Sequence, residues 1–120
     1  MEIDDEYVSV ILEALDYASD ARAEDAAGHR RRPYGEADAE CCDAASALYD
    51  EVASHICKAL TMPKPSSDML AALKRAARAI DYGQAQVESE SDRKFLVGQL
   101  KSVKKSIRIL EREYEDHRSR

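Results

Sequence analysis

The side chains best suited to metal binding or nucleophilic chemistry in this 120-residue chain are three cysteines and three histidines: Cys41, Cys42, Cys57, His29, His55 and His117. Their spacing argues against a familiar centre. No Cys-x-x-Cys pair occurs, and neighbouring residues on a helix point about 100° apart, so Cys41 and Cys42 do not converge on one ion. The two read as packing residues, since a free thiol behaves as a small hydrophobe. Cys57, towards the rear of the same helix, is the candidate for a redox or intermolecular disulfide role. A di-iron bundle needs Glu-x-x-His pairs on two helices; here Glu51/His55 and Glu113/His117 are spaced i,i+4, and His55 reads as a structural histidine at a core edge. No plausible nucleophilic triad is visible, and the four glycines form no phosphate-cradling loop. No catalytic residue, metal ligand or cofactor is assigned, and the expectation is a non-enzymatic protein.

Carboxylates are the next candidates. Glu13-x-x-Asp16 and Glu40-x-x-Asp43 are similar in spacing to the acidic pairs that hold magnesium in all-α nucleotide pyrophosphohydrolases. Glu13 and Asp16, however, project opposite the apolar Ile11/Leu15 face, away from a bundle interior. Metal-dependent hydrolysis is therefore not expected.

Charge distribution is more informative. Residues 1–60 hold 15 Asp/Glu and 5 Lys/Arg, whereas residues 61–120 hold 9 and 13, giving −10 and +4 and together the net −6. Such asymmetry points either to an acidic half docking on a basic half or to surfaces that face partners. Glu13, Asp16, Asp20 and Glu24 continue a helical ridge that begins at Glu2, Asp5 and Glu6 and contains no base. Lys94, Lys101, Lys105, Arg108 and Arg112 form a basic stripe near the C-terminus. His29-Arg30-Arg31-Arg32 sits in a linker, where its cations neutralise nearby carboxylates.

These features set the functional expectation. The chain should be a regulator, inhibitor or adaptor, binding another protein through charged helical surfaces. An uncompensated row of carboxylates resembles a phosphate backbone electrostatically, as do the surfaces of small acidic inhibitors that phages use against host defence nucleases. The partner would be a protein with a basic groove, or a second copy of this chain in a structural homodimer. The alternative is a nucleic-acid-binding accessory protein that uses Lys101, Lys105, Arg108 and Arg112. The acidic opening of the chain lacks a secretory signal's basic start, and its apolar runs are far too short to span a bilayer. With an odd number of cysteines, two of them adjacent, the expected setting is cytoplasmic, with reduced thiols and no membrane partner.

The elements that position these charges are helical. Good helix formers dominate, 35% of residues are charged and 6% are aromatic, and no stretch alternates as a strand would. The expectation is a single all-α domain over 1–120: a four-helix, mostly antiparallel bundle with coiled-coil-like seams in its last two helices. The helices are placed at 4–27, 36–60, 68–88 and 92–118. Ile3, Tyr7, Val8, Ile11, Leu15 and Ala18 line the first, with Arg22 on the same apolar side and Gly28 as its C-terminal cap. Cys41, Ala44, Ala45, Leu48, Val52, Ile56 and Ala59 line the second, and Cys42, Tyr49, Ala53 and Leu60 widen that face towards half the circumference, so this helix should be the most buried. Two prolines break the chain after it, and Ser66 or Ser67 caps the third helix. Leu70, Leu73, Ala77, Ile80, Gln84 and Val87 give the third a heptad-like face, weakened by Gly83. Leu96, Leu100, Val103, Ile107, Leu110 and Tyr114 mark the seam of the fourth. Glu88 to Ser91 interrupts the register, so the last two helices should form a hairpin, the alternative being one long kinked helix.

Overall fold

Apolar side chains recurring every three or four residues must face one another, and four such faces close into a bundle in the computed structural model. It describes residues 5–62, 67–83 and 85–119. Helices α1 (Asp5–Arg30), α2 (Glu36–Ala59), α3 (Ser67–Gly83) and α4 (Glu90–Ser119) follow one another, with no strand among the described residues. Short connections force successive helices to reverse direction. The side-chain pairings agree: Ser19 of α1 meets Ser46 and Asp50 of α2, Glu51 of α2 meets Arg75 of α3, Asp81 of α3 meets Lys104 of α4, and Tyr17 of α1 meets Asp92 of α4. The order is up-down-up-down. The expected all-α antiparallel bundle is the fold.

One hydrophobic core runs through all four helices. Ile11 and Leu15 of α1, Val52 and Ile56 of α2, Met69 and Leu73 of α3, and Val103, Leu110 and Tyr114 of α4 are almost wholly removed from water. Burying each such side chain favours folding by about 1.5–3 kcal/mol before entropy is counted. The seam expected in α4 is present: Leu96, Val103, Ile107, Leu110 and Tyr114 are buried and Leu100 is half-buried. In α3, Leu70, Leu73 and Ile80 are buried as expected, and Met69, Ala72 and Ala76 add a second buried row.

Several boundaries and faces differ from the sequence expectation, each for a physical reason. Helix α1 passes through Gly28 and ends at Arg30, so Gly28 is not its cap. The reversal is built one turn later. There Tyr34 takes a positive φ of 62°, and Gly35 has no room for a Cβ beside the His29 carbonyl. Helix α3 stops at Gly83, earlier than 88, and α4 begins at Glu90, earlier than 92. Ser89 provides the reason: its hydroxyl accepts from the Asp92 amide at 3.4 Å and its carbonyl from the Arg93 amide at 2.9 Å, an N-terminal cap. The last two helices therefore form a hairpin and not one kinked helix. Expectations for Ile3, Ser66 and Gln84 fall outside the described residues, while Ser67 is the first residue of α3.

The larger correction concerns α2. It is not the most buried helix: six of its 24 residues are buried, against seven of 17 in α3. Cys41, Ala44 and Leu48, expected on its core face, are exposed, and Cys42 and Tyr49 take the inward positions. Helix α3 is seven residues shorter than α2 (17 against 24), about 10 Å of rod, and Cys41, Ala44 and Leu48 line an open groove beside the last turns of α3 at Ala79, Tyr82 and Gly83.

Two glycines in helices have opposite environments. A Cβ at Gly83 would overlap the hydroxyl of Tyr49, a ring that is 3% exposed, whereas a Cβ at Gly98 meets nothing within 4 Å. Gly83→Ala should therefore destabilise the protein by about 1–3 kcal/mol through overpacking. Gly98→Ala should stabilise it by about 0.5–1 kcal/mol by improving helix propensity. Urea unfolding of the two variants checks this; equal signs would contradict the assigned packing.

Candidate functional site

Positions 13, 16, 20 and 24 recur at the helical period, opposite Ile11, Leu15 and Ala18. Burying that apolar row consequently turns Glu13, Asp16, Asp20 and Glu24 outward. All four are exposed, and among the described residues none of them forms an ion pair. Asp92 extends the ridge from α4: with Tyr17, Asp20, Ala21 and Glu24 it lines a cleft of about 180 Å³. The Tyr17 hydroxyl donates to the Asp92 carboxylate at 2.6 Å, and this bond holds the phenol above its ordinary pKa. Its ring stacks on Phe95 with centroids 4.4 Å apart, fixing the start of α4 against α1.

The basic stripe is likewise on the surface. Lys94, Lys101, Lys105, Arg108 and Arg112 are all exposed. Lys94 approaches Glu90 at 3.7 Å with both side chains in solvent, a contact of little energetic weight. Lys101, Lys105, Arg108 and Arg112 make no ion pair among the described residues. Lys104, off the stripe, takes the carboxylate of Asp81 at 2.9 Å.

The acidic and basic halves scarcely neutralise each other. Only Arg75–Glu51, at 2.9 Å, joins a Lys or Arg of the second half to an acid of the first among the described residues. Arg22 reaches Glu88 in the opposite sense. Amphipathic helices meet through their apolar sides, so charge on their outer sides stays apart. Within the first half, Arg30 contacts Glu36 at 3.3 Å and Asp43 at 2.6 Å, which holds its guanidinium still more firmly protonated. Arg30, the last residue of α1, thus takes the neutralising role expected of the arginine run, whereas Arg31 and Arg32 are exposed and make no ion pair among the described residues. Of the acidic pairs weighed above, Glu13, Asp16 and Glu40 face solvent and Asp43 is taken by Arg30, so they do not converge.

One end of the bundle gathers a polar cluster that the spacing of cysteines did not reveal. Arg22, on the apolar side of α1 as expected, is buried and contacts the Asp25 carboxylate at 3.1 Å and the Gln86 carbonyl. One turn beyond Asp25, His29 Nε2 lies 2.7 Å from Glu88 Oε2, in the α3–α4 connection. The Cys42 thiol donates to the same carboxylate oxygen at 3.5 Å. The bond from His29 holds the Glu88 carboxyl below its ordinary range, and burial pushes the Cys42 thiol up. His29, Cys42 and Glu88 thus bring an imidazole nitrogen, a sulfur and a carboxylate oxygen within 4.8 Å of one another. Cys41, a residue away, faces a different space, as the 100° rule requires. Beside this cluster, Cys41, Ala44, Leu48, Tyr82 and Arg22 line a groove of about 340 Å³, with Leu48 42% and Tyr82 75% exposed. Cys57 is exposed elsewhere on α2. Two signals for the cluster were present in the sequence, Arg22 on an apolar face and His29 at a helix end. Glu88 could join them only through the path of the hairpin.

No protein-family model matches the chain, and no curated protein or solved structure matches it.

The Glu88 carboxyl should titrate below the ordinary value of about 4.3 and return towards it in His29→Ala. Carboxyl-carbon NMR titration in the presence of a chelator measures both. Because the folded-state value is depressed, the stability Glu88 contributes is present above the ordinary carboxylate range. It is lost as pH falls through the folded value. An unshifted midpoint in the unaltered protein would contradict the His29 contact.

Proposed function

We propose that this chain is a non-enzymatic, cytoplasmic regulator that docks on a basic groove of another protein through the acidic ridge of α1, acting as an inhibitor or adaptor. One observation carries the reading: Glu13, Asp16, Asp20 and Glu24 are exposed on one continuous helix and make no ion pair among the described residues. Successive carboxylates climb about 4.5–6 Å per step, so the ridge presents four charges over roughly 16 Å. Such an array steers a cationic surface from a distance and fixes its register on contact. Folding alone gives little reason to keep it, because i,i+3 and i,i+4 carboxylate pairs repel by about 0.2–0.5 kcal/mol each. A partner able to close over the ridge would be one that otherwise holds a phosphate backbone, and occupying its groove would block nucleic acid. In keeping with this setting, no helix among the described residues is long and apolar enough to cross a membrane.

A second reading rests on the exposed stripe of Lys101, Lys105, Arg108 and Arg112 on α4. Four cations along about three turns could follow a phosphate backbone, which would make the chain a nucleic-acid accessory protein. The ridge is favoured because the net charge of −6 opposes approach to nucleic acid.

Charge reversal separates the two. Changing Glu13, Asp16 and Asp20 together to Lys should lower affinity for a captured protein partner at least tenfold. Changing Lys101, Lys105 and Arg108 together to Glu should leave it within a few-fold. Binding is measured by pull-down after nuclease treatment, with circular dichroism confirming that each variant folds. If the α4 changes abolish binding and the α1 changes do not, or if every partner disappears with nuclease, the nucleic-acid reading replaces the first.

A further inference from the structure

We propose that His29, Cys42 and Glu88 form a zinc site that ties the end of α1, the first half of α2 and the α3–α4 connection together. The three donors are a ring nitrogen, a thiol sulfur and a carboxylate oxygen, and they lie within 4.8 Å of one another. Zinc accepts such a mixed set in tetrahedral geometry, with bonds of about 2.0–2.3 Å. Those bond lengths require donor–donor separations of about 3.3–3.6 Å. The Cys42–Glu88 distance of 3.5 Å already satisfies this, and the His29–Glu88 distance of 2.7 Å needs to open by only about 0.6 Å. Sulfur and imidazole select zinc over magnesium or calcium, which take oxygen donors.

The surroundings support the same assignment. Asp38 lies 3.9 Å from His29 Nδ1, beyond hydrogen-bond reach but on the side from which an outer carboxylate would orient a ligating imidazole. The Asp25 carboxylate accepts from the Glu88 amide at 3.2 Å and so anchors the backbone that carries the third donor. Arg22, 3.9 Å from Glu88, is engaged by Asp25 and the Gln86 carbonyl, and the Arg93 guanidinium is held by the neighbouring Val87 carbonyl at 2.7 Å. With Glu88, Asp25 and Asp38 ionised against Arg22, the cluster is net −2 before an ion enters, and the Cys42 thiolate adds one more negative charge. On binding, the Cys42 S–H bond breaks, a Zn–S bond forms and one proton leaves to solvent. His29 enters as a neutral ring and exchanges its contact with Glu88 for the metal. The Glu88 side chain is 45% exposed, so the fourth position opens towards water. The three ligands come from segments far apart in sequence. An ion there closes loops at that end of the bundle.

The test uses the full chain with Cys41→Ser and Cys57→Ser, which leaves Cys42 as the only thiol. Cobalt(II) is titrated into the chelator-stripped protein and read by optical absorption. The expected result is a thiolate-to-cobalt charge-transfer band with the strong visible bands of a tetrahedral ion, at one cobalt per chain, bleached by zinc. Glu88→Gln and His29→Gln, added separately to that background, should each weaken binding at least tenfold. Glu88 is exposed, so the Glu88→Gln protein is expected to fold, and circular dichroism confirms it. Zinc at a hundredfold over its dissociation constant should also raise the melting temperature by roughly 10 °C. Absence of the thiolate band up to millimolar cobalt, or a band unaffected by both the Glu88 and His29 changes, would overturn the proposal.

Discussion

The packing of α1 on α2 is the constraint from which the rest of the arrangement follows. The two helices pack along most of their length, with Ala26 of α1 clustered with Ala39 and Cys42 of α2 and Ser19 meeting Ser46. At the centre of this seam the Ser19 hydroxyl meets the Ser46 hydroxyl at 2.9 Å and donates to Asp50 at 2.7 Å, while Ser46 donates back to the Ser19 carbonyl at 3.0 Å. The Asp50 carboxylate and the Ser19 carbonyl thus satisfy the two hydroxyl protons where a buried polar group would otherwise be costly. They also fix the rotation of α2 about its own axis. With Ser46 and Cys42 facing α1, Cys41, Ala44 and Leu48 must point away, and the acids of both helices turn to solvent.

That rotation was the least legible part of the fold. The α2 sequence contains apolar or small residues on more than half its circumference, so periodicity could not choose between a stripe through Cys41, Ala44 and Leu48 and one through Cys42, Tyr49 and Ile56. The choice was made by partners distant in sequence: Ser19, and the glycine at 83 that admits the Tyr49 ring. By contrast, α4 could be placed from its own residues, because Leu96, Val103, Ile107, Leu110 and Tyr114 allow only one buried edge. Helix ends were readable where a side chain signals them and missed where the signal was subtle. Ser89-x-x-Asp92 is such a capping sequence, overlooked among the serines and glutamates of the connection.

The charged surfaces were legible for the same reason as α4. Once Ile11 and Leu15 are buried, helix geometry alone sends Glu13, Asp16, Asp20 and Glu24 outward, and the same argument exposes Lys101 and Arg108. What the sequence could not decide was whether the two halves neutralise each other. In the folded chain they meet through apolar faces and leave the ridge without counter-charge. The cluster of His29, Cys42 and Glu88 was hidden for a different reason. Its members are separated by 13 and 46 residues and lie at the end of a helix, inside another and in a connection. Only the closed bundle brings them together.

An uncompensated ridge has a signature in the isolated protein, before any partner is found. Thermal unfolding of a variant with Glu13→Gln, Asp16→Asn, Asp20→Asn and Glu24→Gln, measured at low salt beside the unaltered chain, reads it directly. Relief of three like-charge neighbour pairs should stabilise the variant by about 1 kcal/mol and raise its melting temperature by a few degrees, a gain that shrinks as salt is added. A lower melting temperature would mean that these carboxylates are held by counter-charges within the fold, and would contradict the account of a surface left free for a partner.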